Sequence, residues 1–303
     1  MRRKTTWVAL LVAIVAVVAA GCGGSGSGSG SSGKIVVGSK NFTESIVLGE
    51  MLKQLIEAKT DLKVEHKSNL GATDITYKAI TQGDIDLYAE YDGTIYSSYL
   101  KITDPVSDPR KVYDLVNGRL QDELKLKLTK PLGFNNTFTL AVPQAVADKY
   151  HLQTYSDLAK VAGELTLGVD HEFMNRQPDG WKGLQERYGF KFKDVKAMDS
   201  GLRYTSINQN QIQVTNAFAT DGQLKSNNMV ILKDDKFFFP PYNAAPIVRM
   251  DTLEKYPELE DALNALAGQI TDPEMQEMNY LVDDKGESEE KVAKDFLTKK
   301  GLI

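Results

Sequence analysis

The chain has 303 residues, of which 42% are hydrophobic and 25% charged, and its net charge is −5. That is a globular composition, with enough chain for two ordinary domains and a large total core. The acidic balance and the lack of a concentrated basic stripe argue against a nucleic-acid partner.

The first element is an export signal over residues 1–21. Arg2, Arg3 and Lys4 form a basic start, and an apolar run follows from Trp7 to Ala20. That run is shorter than the roughly 20 residues a transmembrane helix needs, and it fits a signal peptide. It ends in Ala19-Ala20-Gly21-Cys22, which resembles a bacterial lipobox, with Ala19 in place of the usual leucine. The resemblance implies cleavage before Cys22 and a lipid on its thiol. Cys22 is the sole cysteine, and an exported chain without spare thiols cannot mispair. Residues 22–33 then read as the lipidated cysteine and a Gly/Ser tether, a composition that behaves as flexible coil. Within it, Gly28-Ser-Gly-Ser-Ser-Gly33-Lys34 has the spacing of a dinucleotide fingerprint and of most of a P-loop. No strand precedes it, no helix follows, and Ile35 stands where a P-loop needs Ser or Thr, so neither reading holds.

Beyond the tether, residues 35–37 read as a buried strand. Gly38-Ser-Lys-Asn-Phe-Thr-Glu44 is a turn opening a helix that runs to about residue 59, where Asn41 with Glu44 has capping-box spacing and Thr43 is the other candidate cap. A strand at 62–66, a helix at 74–82 and a strand ending near Tyr91 complete a β-α-β-α-β order, which indicates a parallel, doubly wound sheet. A short helix start at 94–100 and an amphipathic helix at 112–124 follow, and residues 127–133 read as a connection. The alternation restarts with strands at 137–142, 165–169, 195–198, 212–219 and 229–232, interleaved with helices at 144–150, 156–161, 180–188 and 202–208. Phe237-Phe-Phe-Pro-Pro-Tyr242 must leave regular structure at its prolines. A strand at 245–250 precedes helices at 259–269, 273–282 and 289–297. The apolar faces of these last helices need a partner, and the first unit is the natural one. The expected organisation is therefore a discontinuous lobe I, residues 34–136 and 244–303, with lobe II, residues 137–243, inserted in it. Two crossings join the lobes, near Asn135 and Tyr242, and ligand sites commonly lie at such interfaces.

Asp84-Ile-Asp-Leu-Tyr-Ala-Glu-Tyr-Asp-Gly-Thr94 is the stretch that points to chemistry. It begins as an alternating strand and delivers a tyrosine, a carboxylate and a threonine at the strand's carboxyl end, where ligands sit in α/β sheets. The face of Tyr91 attracts a cation, so Tyr91 is expected to wall a pocket for an organic cation.

The segments Gly38-Ser-Lys-Asn-Phe-Thr-Glu44, Asp86-Leu-Tyr-Ala-Glu-Tyr-Asp-Gly-Thr94, Gly133-Phe-Asn-Asn-Thr-Phe138, Ala219-Thr-Asp-Gly222 and Asp234-Asp-Lys-Phe-Phe-Phe-Pro-Pro-Tyr242 occur in this order. As an ordered set they resemble the substrate-binding lipoproteins of osmoprotectant ABC transporters, the glycine betaine, carnitine and choline binders of the OpuC, OpuB and ProX type. The resemblance covers the chain from Lys34 to the C-terminus. It implies a two-lobed periplasmic-binding-protein fold of type II and an aromatic cage around a quaternary ammonium group. The cage positions carry over to Tyr91, Phe138, Phe218 and Tyr242. In many members all four are tyrosine, so Phe138 and Phe218 are departures that keep the π face and lose a hydroxyl. The partners of a ligand carboxylate map to Lys40 and Arg176, with Thr94 as a hydroxyl donor. Asp92 either faces the cleft, where it favours choline over a betaine, or pairs with Lys40 and neutralises the anion site. The resemblance also implies an ABC permease partner, a lipid anchor on the outer face of the cytoplasmic membrane, a monomer, and no cofactor, metal or catalysis.

Other readings are a binder of another small solute, such as an amino acid or an anion, and an enzyme. His66, His151 and His171 lack metal-ligand spacing, no Cys–His pair or Gly-x-Ser-x-Gly elbow occurs in the folded region, and Asp234 with Asp235 reads as a solvated turn.

Overall fold

A computed structural model describes residues 33–102, 109–199 and 201–303. The expected signal peptide, Cys22 and the tether up to residue 32 lie outside the described residues. No described helix is long and apolar enough to cross a membrane.

Among the described residues, ten strands form two five-stranded sheets. They are β1 (Lys34–Gly38), β2 (Lys63–Lys67), β3 (Leu87–Tyr91), β4 (Leu126–Leu128), β5 (Phe138–Pro143), β6 (Thr166–Asp170), β7 (Asp194–Met198), β8 (Val214–Phe218), β9 (Met229–Ile231) and β10 (Ala244–Arg249). The first sheet has the order β2-β1-β3-β10-β4 and the second β7-β6-β8-β5-β9. The two follow one plan. Three parallel strands come first, then two that run antiparallel to their neighbours. Both sheets belong to one compact unit, residues 32–303.

Strand alternation gives the first sheet two apolar faces. Ile35, Val37, Leu87, Ala89 and Tyr91 point into one core, while Tyr88 and Ile247 point into another. The helix Thr43–Lys59 covers the first of these faces with a stripe of Val47, Leu48, Met51, Leu52, Leu55 and Ile56. The same core takes Leu259 and Leu263 from the helix Glu258–Asn264, Met275 and Met278 from Asp272–Asp283, and Phe296 and Leu297 from Glu289–Lys299. In the second sheet Leu140 and Val142 face a core with Leu167, Val169 and Val214, while Ala141 faces the other side.

The chain passes between the sheets twice, and the two crossings touch. Asn135 and Asn243 form an antiparallel bridge, Tyr242 N donates to Asn135 Oδ1 at 2.7 Å, and Asn136 N donates to Tyr242 O at 3.0 Å. This is a hinge of two crossover segments, as expected of the two-lobed fold. A further contact joins the helix Gly222–Ser226 to the helix Asp272–Asp283. Gln276 Nε2 donates to Ala219 O at 2.7 Å and Asn279 Nδ2 to Thr220 O at 2.8 Å. Gly222 permits that approach, since a Cβ there would lie 2.5 Å from Tyr280 N.

Three expectations need correction. The sheets are mixed rather than parallel, because the strands that cross the hinge, β5 and β10, enter each sheet against the direction of β8 and β3. Within residues 127–133, read as a connection, the chain still belongs to β4 through Leu128, a three-residue strand too short to show a period. The helix at residue 43 has no side-chain cap, because its N-cap position falls on Phe42, which has no side-chain acceptor, and the Glu44 carboxylate takes Tyr91 and Asn136 instead.

Candidate ligand-binding site

The parallel strands of both sheets end at one cavity. Lys40 follows β1, Thr94 follows β3, Arg176 follows β6, and Thr220 follows β8. Ligands in α/β sheets sit at such carboxyl ends. The cavity has a volume of about 660 Å³, and its lining includes Lys40, Tyr91, Thr94, Phe138, Arg176, Phe218 and Tyr242. Seven of the eight residues expected at a binding site are thus brought together.

One wall is aromatic. Phe138 and Phe218 are direct partners across the antiparallel pair β5/β8, with ring centroids 4.7 Å apart. Such cross-strand pairs hold side chains side by side on one face of the sheet, and here the two rings are tilted by 36°. Tyr242 meets Phe138 edge-on at 6.3 Å, and Phe173 and Phe239 back Phe138 at 5.3 and 6.1 Å. The Arg176 guanidinium lies 5.2 Å from the Phe138 centroid, a cation–π arrangement. Its Nε donates to Asp179 Oδ1 at 2.8 Å and its Nη2 to Tyr242 OH at 3.0 Å, while Tyr242 OH donates to Asp179 Oδ2 at 2.5 Å. Burial and the adjacent Asp179 carboxylate hold the Tyr242 phenol above its usual range, so it remains a neutral donor.

The opposite wall is polar. Tyr91 has Phe42 stacked against it at 6.5 Å, and its hydroxyl donates to Glu44 Oε1 at 2.6 Å. Glu44 also accepts from Asn136 Nδ2 at 2.8 Å and Asn279 Nδ2 at 3.1 Å. Burial raises the Glu44 carboxyl above its ordinary value, and those donors act against the rise. Lys40 Nζ donates to the buried Glu90 at 2.6 Å and to Thr73 Oγ1 at 3.1 Å. Further along the cavity, Arg203 donates to Asn216 O and lies 3.9 Å from both Asp170 and Asp221.

Asp92 is the exception. It is fully buried and is not part of the cavity lining. Its Oδ1 accepts from Asn243 N at 2.8 Å and Gly93 N at 2.7 Å, and its Oδ2 accepts from Asn243 Nδ2 at 2.9 Å. It therefore neither faces the cleft nor pairs with Lys40. It pins the returning crossover to the end of β3. Gly93 lets that crossover approach, since a Cβ there would lie 2.4 Å from Pro241 O. Burial pushes the Asp92 carboxyl up to about 6.

Sequence reasoning missed Glu44, Glu90, Asn136, Asp179, Arg203 and Asn279. Of these, Glu44, Glu90 and Asn136 lie inside the quoted motifs, and only Glu90 adjoins an assigned residue. No group of His, Cys, Asp and Glu among the described residues is arranged to hold a metal ion.

Comparison with known proteins adds the following. Residues 33–299 match the family described as the substrate binding domain of ABC-type glycine betaine transport system. Over 266 residues the chain is 40% identical to the carnitine transport binding protein OpuCC of Listeria monocytogenes serotype 1/2a (strain 10403S), covering 88% of this chain and 86% of that one. It is 37% identical over 270 residues to the ergothioneine transport permease/ergothioneine binding protein EgtU of Helicobacter pylori (strain G27), covering 88% of this chain and 48% of that longer one. A solved glycine betaine/carnitine/choline ABC transporter structure superposes with a TM-score of 0.83 at 35% identity, over 88% of this chain and 99% of that one.

Proposed function

The chain belongs to the family of substrate-binding domains of ABC-type glycine betaine transport systems, and from that premise we propose that it captures a quaternary ammonium solute in its cleft and delivers it to a membrane permease. It is a binding protein rather than an enzyme, and it works outside the cytoplasm. The candidate solutes are glycine betaine, carnitine and choline. The observation that carries the reading is the aromatic wall: two phenylalanine rings 4.7 Å apart and a tyrosine edge-on to one of them, in the same cavity as Tyr91.

The chemistry fits such a ligand. A trimethylammonium group has no N–H to donate, yet it is positive and apolar in bulk. Aromatic faces satisfy both properties, at about 0.5–2 kcal/mol per good contact. In this reading Tyr91, Phe138, Phe218 and Tyr242 surround the cation. Lys40, Arg176 and Thr94 receive a carboxylate, with Arg176 offering a planar fork of donors. Asp92 acts at the hinge rather than on the ligand.

The lobes divide at residues 136–137 and 243–244, and closure about the hinge traps the solute. A signal peptide over residues 1–21, a lipid on Cys22 and a Gly/Ser tether hold a monomer at the outer face of the cytoplasmic membrane. The closed form then docks on the permease.

Calorimetric titration with glycine betaine, carnitine, choline and proline betaine tests the reading. One-to-one saturable binding of at least one is expected, with displacement by tetramethylammonium. Binding of none contradicts it. A ligand that tetramethylammonium cannot displace points instead to an amino-acid or anion site. Ergothioneine belongs in the same titration. It is a trimethylammonium betaine, and the 37%-identical Helicobacter protein is named for binding it.

A further inference from the structure

Glu90 lies on β3 beside Tyr91, has no exposed surface, and is not part of the cavity lining. Lys40 Nζ at 2.6 Å and Tyr91 N at 2.9 Å donate to its Oε1, while the hydroxyls of Tyr99, at 2.5 Å, and Tyr88, at 3.1 Å, lie against its Oε2 and also hydrogen-bond each other. Each hydroxyl has one hydrogen, so the tyrosine pair gives Oε2 one donor and spends the other hydrogen between its two oxygens. Its neighbours are themselves fixed. Tyr99 closes the π-helical turn Ile95–Tyr99 and packs its ring 4.1 Å from Tyr77. Lys40, only 4% exposed, lines the cavity, gives a second hydrogen to Thr73 and holds its ammonium 5.5 Å from the Tyr91 ring centroid.

The cavity's Lys40 is therefore half of a buried neutral pair. An uncompensated ammonium at that wall would attract any ligand carboxylate and repel a ligand of net positive charge. Paired with Glu90, it presents a directed N–H and little net charge. Removing one partner of a buried pair leaves the other charge exposed to whatever lies next to it. Specificity is a difference of affinities, and a repulsive element sets it as much as an attractive one.

We propose that Glu90 is a positioning residue that determines ligand specificity: acting through Lys40, it lowers the cavity's demand for a ligand carboxylate, so that choline-like cations and betaine zwitterions are both accommodated. This rests on the quaternary ammonium reading of the cleft.

The test is the ratio Kd(choline)/Kd(glycine betaine), measured by calorimetry on the full chain. The two ligands share a trimethylammonium group, so damage to the fold or to the aromatic wall weakens both alike and leaves the ratio unmoved. In Glu90→Gln, which keeps the side chain's size and loses its charge, the ratio rises by at least about tenfold, equivalent to about 1.4 kcal/mol. In Lys40→Met, where the Glu90 charge is left alone, it falls by a similar factor. In Lys40→Met/Glu90→Gln it returns to within about threefold of wild type. That restoration separates compensation by Glu90 from a direct contact of Lys40 alone, and the Lys40→Met background supplies it if Glu90→Gln by itself fails to fold. A ratio that stays within about threefold of wild type in Glu90→Gln overturns the proposal, as does a double variant no closer to wild type than Lys40→Met. Wild-type protein that binds one of the two ligands and not the other also overturns it, while leaving the function intact. Binding of neither overturns this proposal, and the function itself stands only if carnitine or proline betaine binds.

Discussion

The two walls of the cleft rest on different physics. The wall on β5 and β8 is ring against ring, with Phe138 in contact with Phe218, Tyr242, Phe173 and Phe239. The wall on β1 and β3 is a polar web in which Glu44 and Glu90 each take several donors. Ring packing is many weak contacts, so a change of one ring is absorbed in part. A buried web is fully satisfied or it is costly, because each orphaned group loses water without gaining a partner. The aromatic wall should therefore govern affinity with little effect on stability. The polar wall should govern stability and the balance between ligands.

The largest effect should come from breaking the polar wall at its hub. Glu44→Leu removes the acceptor of Tyr91 OH, Asn136 Nδ2 and one bond of Asn279. At about 1–3 kcal/mol per orphaned buried group, unfolding in urea should show a loss of about 3 kcal/mol or more. An unchanged midpoint would contradict the role of Glu44 as hub.

Asp92 should give a comparable effect that appears with pH. Its carboxyl is pushed from 3.8 up to about 6 by burial. The folded state thus holds the proton more tightly than the unfolded state. The stability this group contributes is fully present below about pH 4 and is lost as pH rises through about 6. A difference of about two units corresponds to about 3 kcal/mol. Asp92→Asn cannot titrate, so its stability relative to wild type should improve by up to that amount between about pH 4 and pH 8. A relative stability that does not change with pH would show that Asp92 ionises normally.

The aromatic wall should respond in the opposite way. Phe138→Leu and Phe218→Leu should cost only about 1 kcal/mol of stability. The loss of one cation–π face, about 1–2 kcal/mol, should weaken a quaternary ammonium ligand by about 5- to 30-fold. Equal affinity in both variants would remove those rings from the site. The mildest change is Phe218→Tyr. It keeps the face and adds a hydroxyl at a half-buried position, so affinity should move by less than about threefold.

The same contrast explains what could be read in the sequence. The four ring positions could be read only through the resemblance that the ordered motifs carry, since strand alternation alone puts Phe138 and Phe218 on a strand face without choosing between core and cavity. That the two phenylalanines are cross-strand partners was not legible, since it depends on the register of β5 against β8. The polar wall was mostly hidden. The partners of Glu44 lie 47, 92 and 235 residues away, and Lys40, the ion-pair partner of Glu90, lies 50 away. No local pattern announces such contacts. Glu44 even carried a misleading signal, because a carboxylate three residues after Asn41 has the spacing of a helix cap. Asp92 sits beside Tyr91 in sequence, but β3 ends at Tyr91 and Asp92 opens the helical turn that follows, where the returning crossover takes its carboxylate through Asn243, 151 residues on. The direction of β5 and β10 was missed because the alternation of elements gives their order and not how a chain returning across a hinge enters a sheet.

The central claim is that aromatic faces in this cleft recognise a positive charge rather than an apolar shape. Glycine betaine and 3,3-dimethylbutanoate have nearly the same shape, and only the first carries a cation. Competitive calorimetry with the two tests the claim directly. Glycine betaine should bind saturably, and the carbon analogue should bind at least about tenfold more weakly. Equal binding of the two, or binding of the carbon analogue alone, would contradict it.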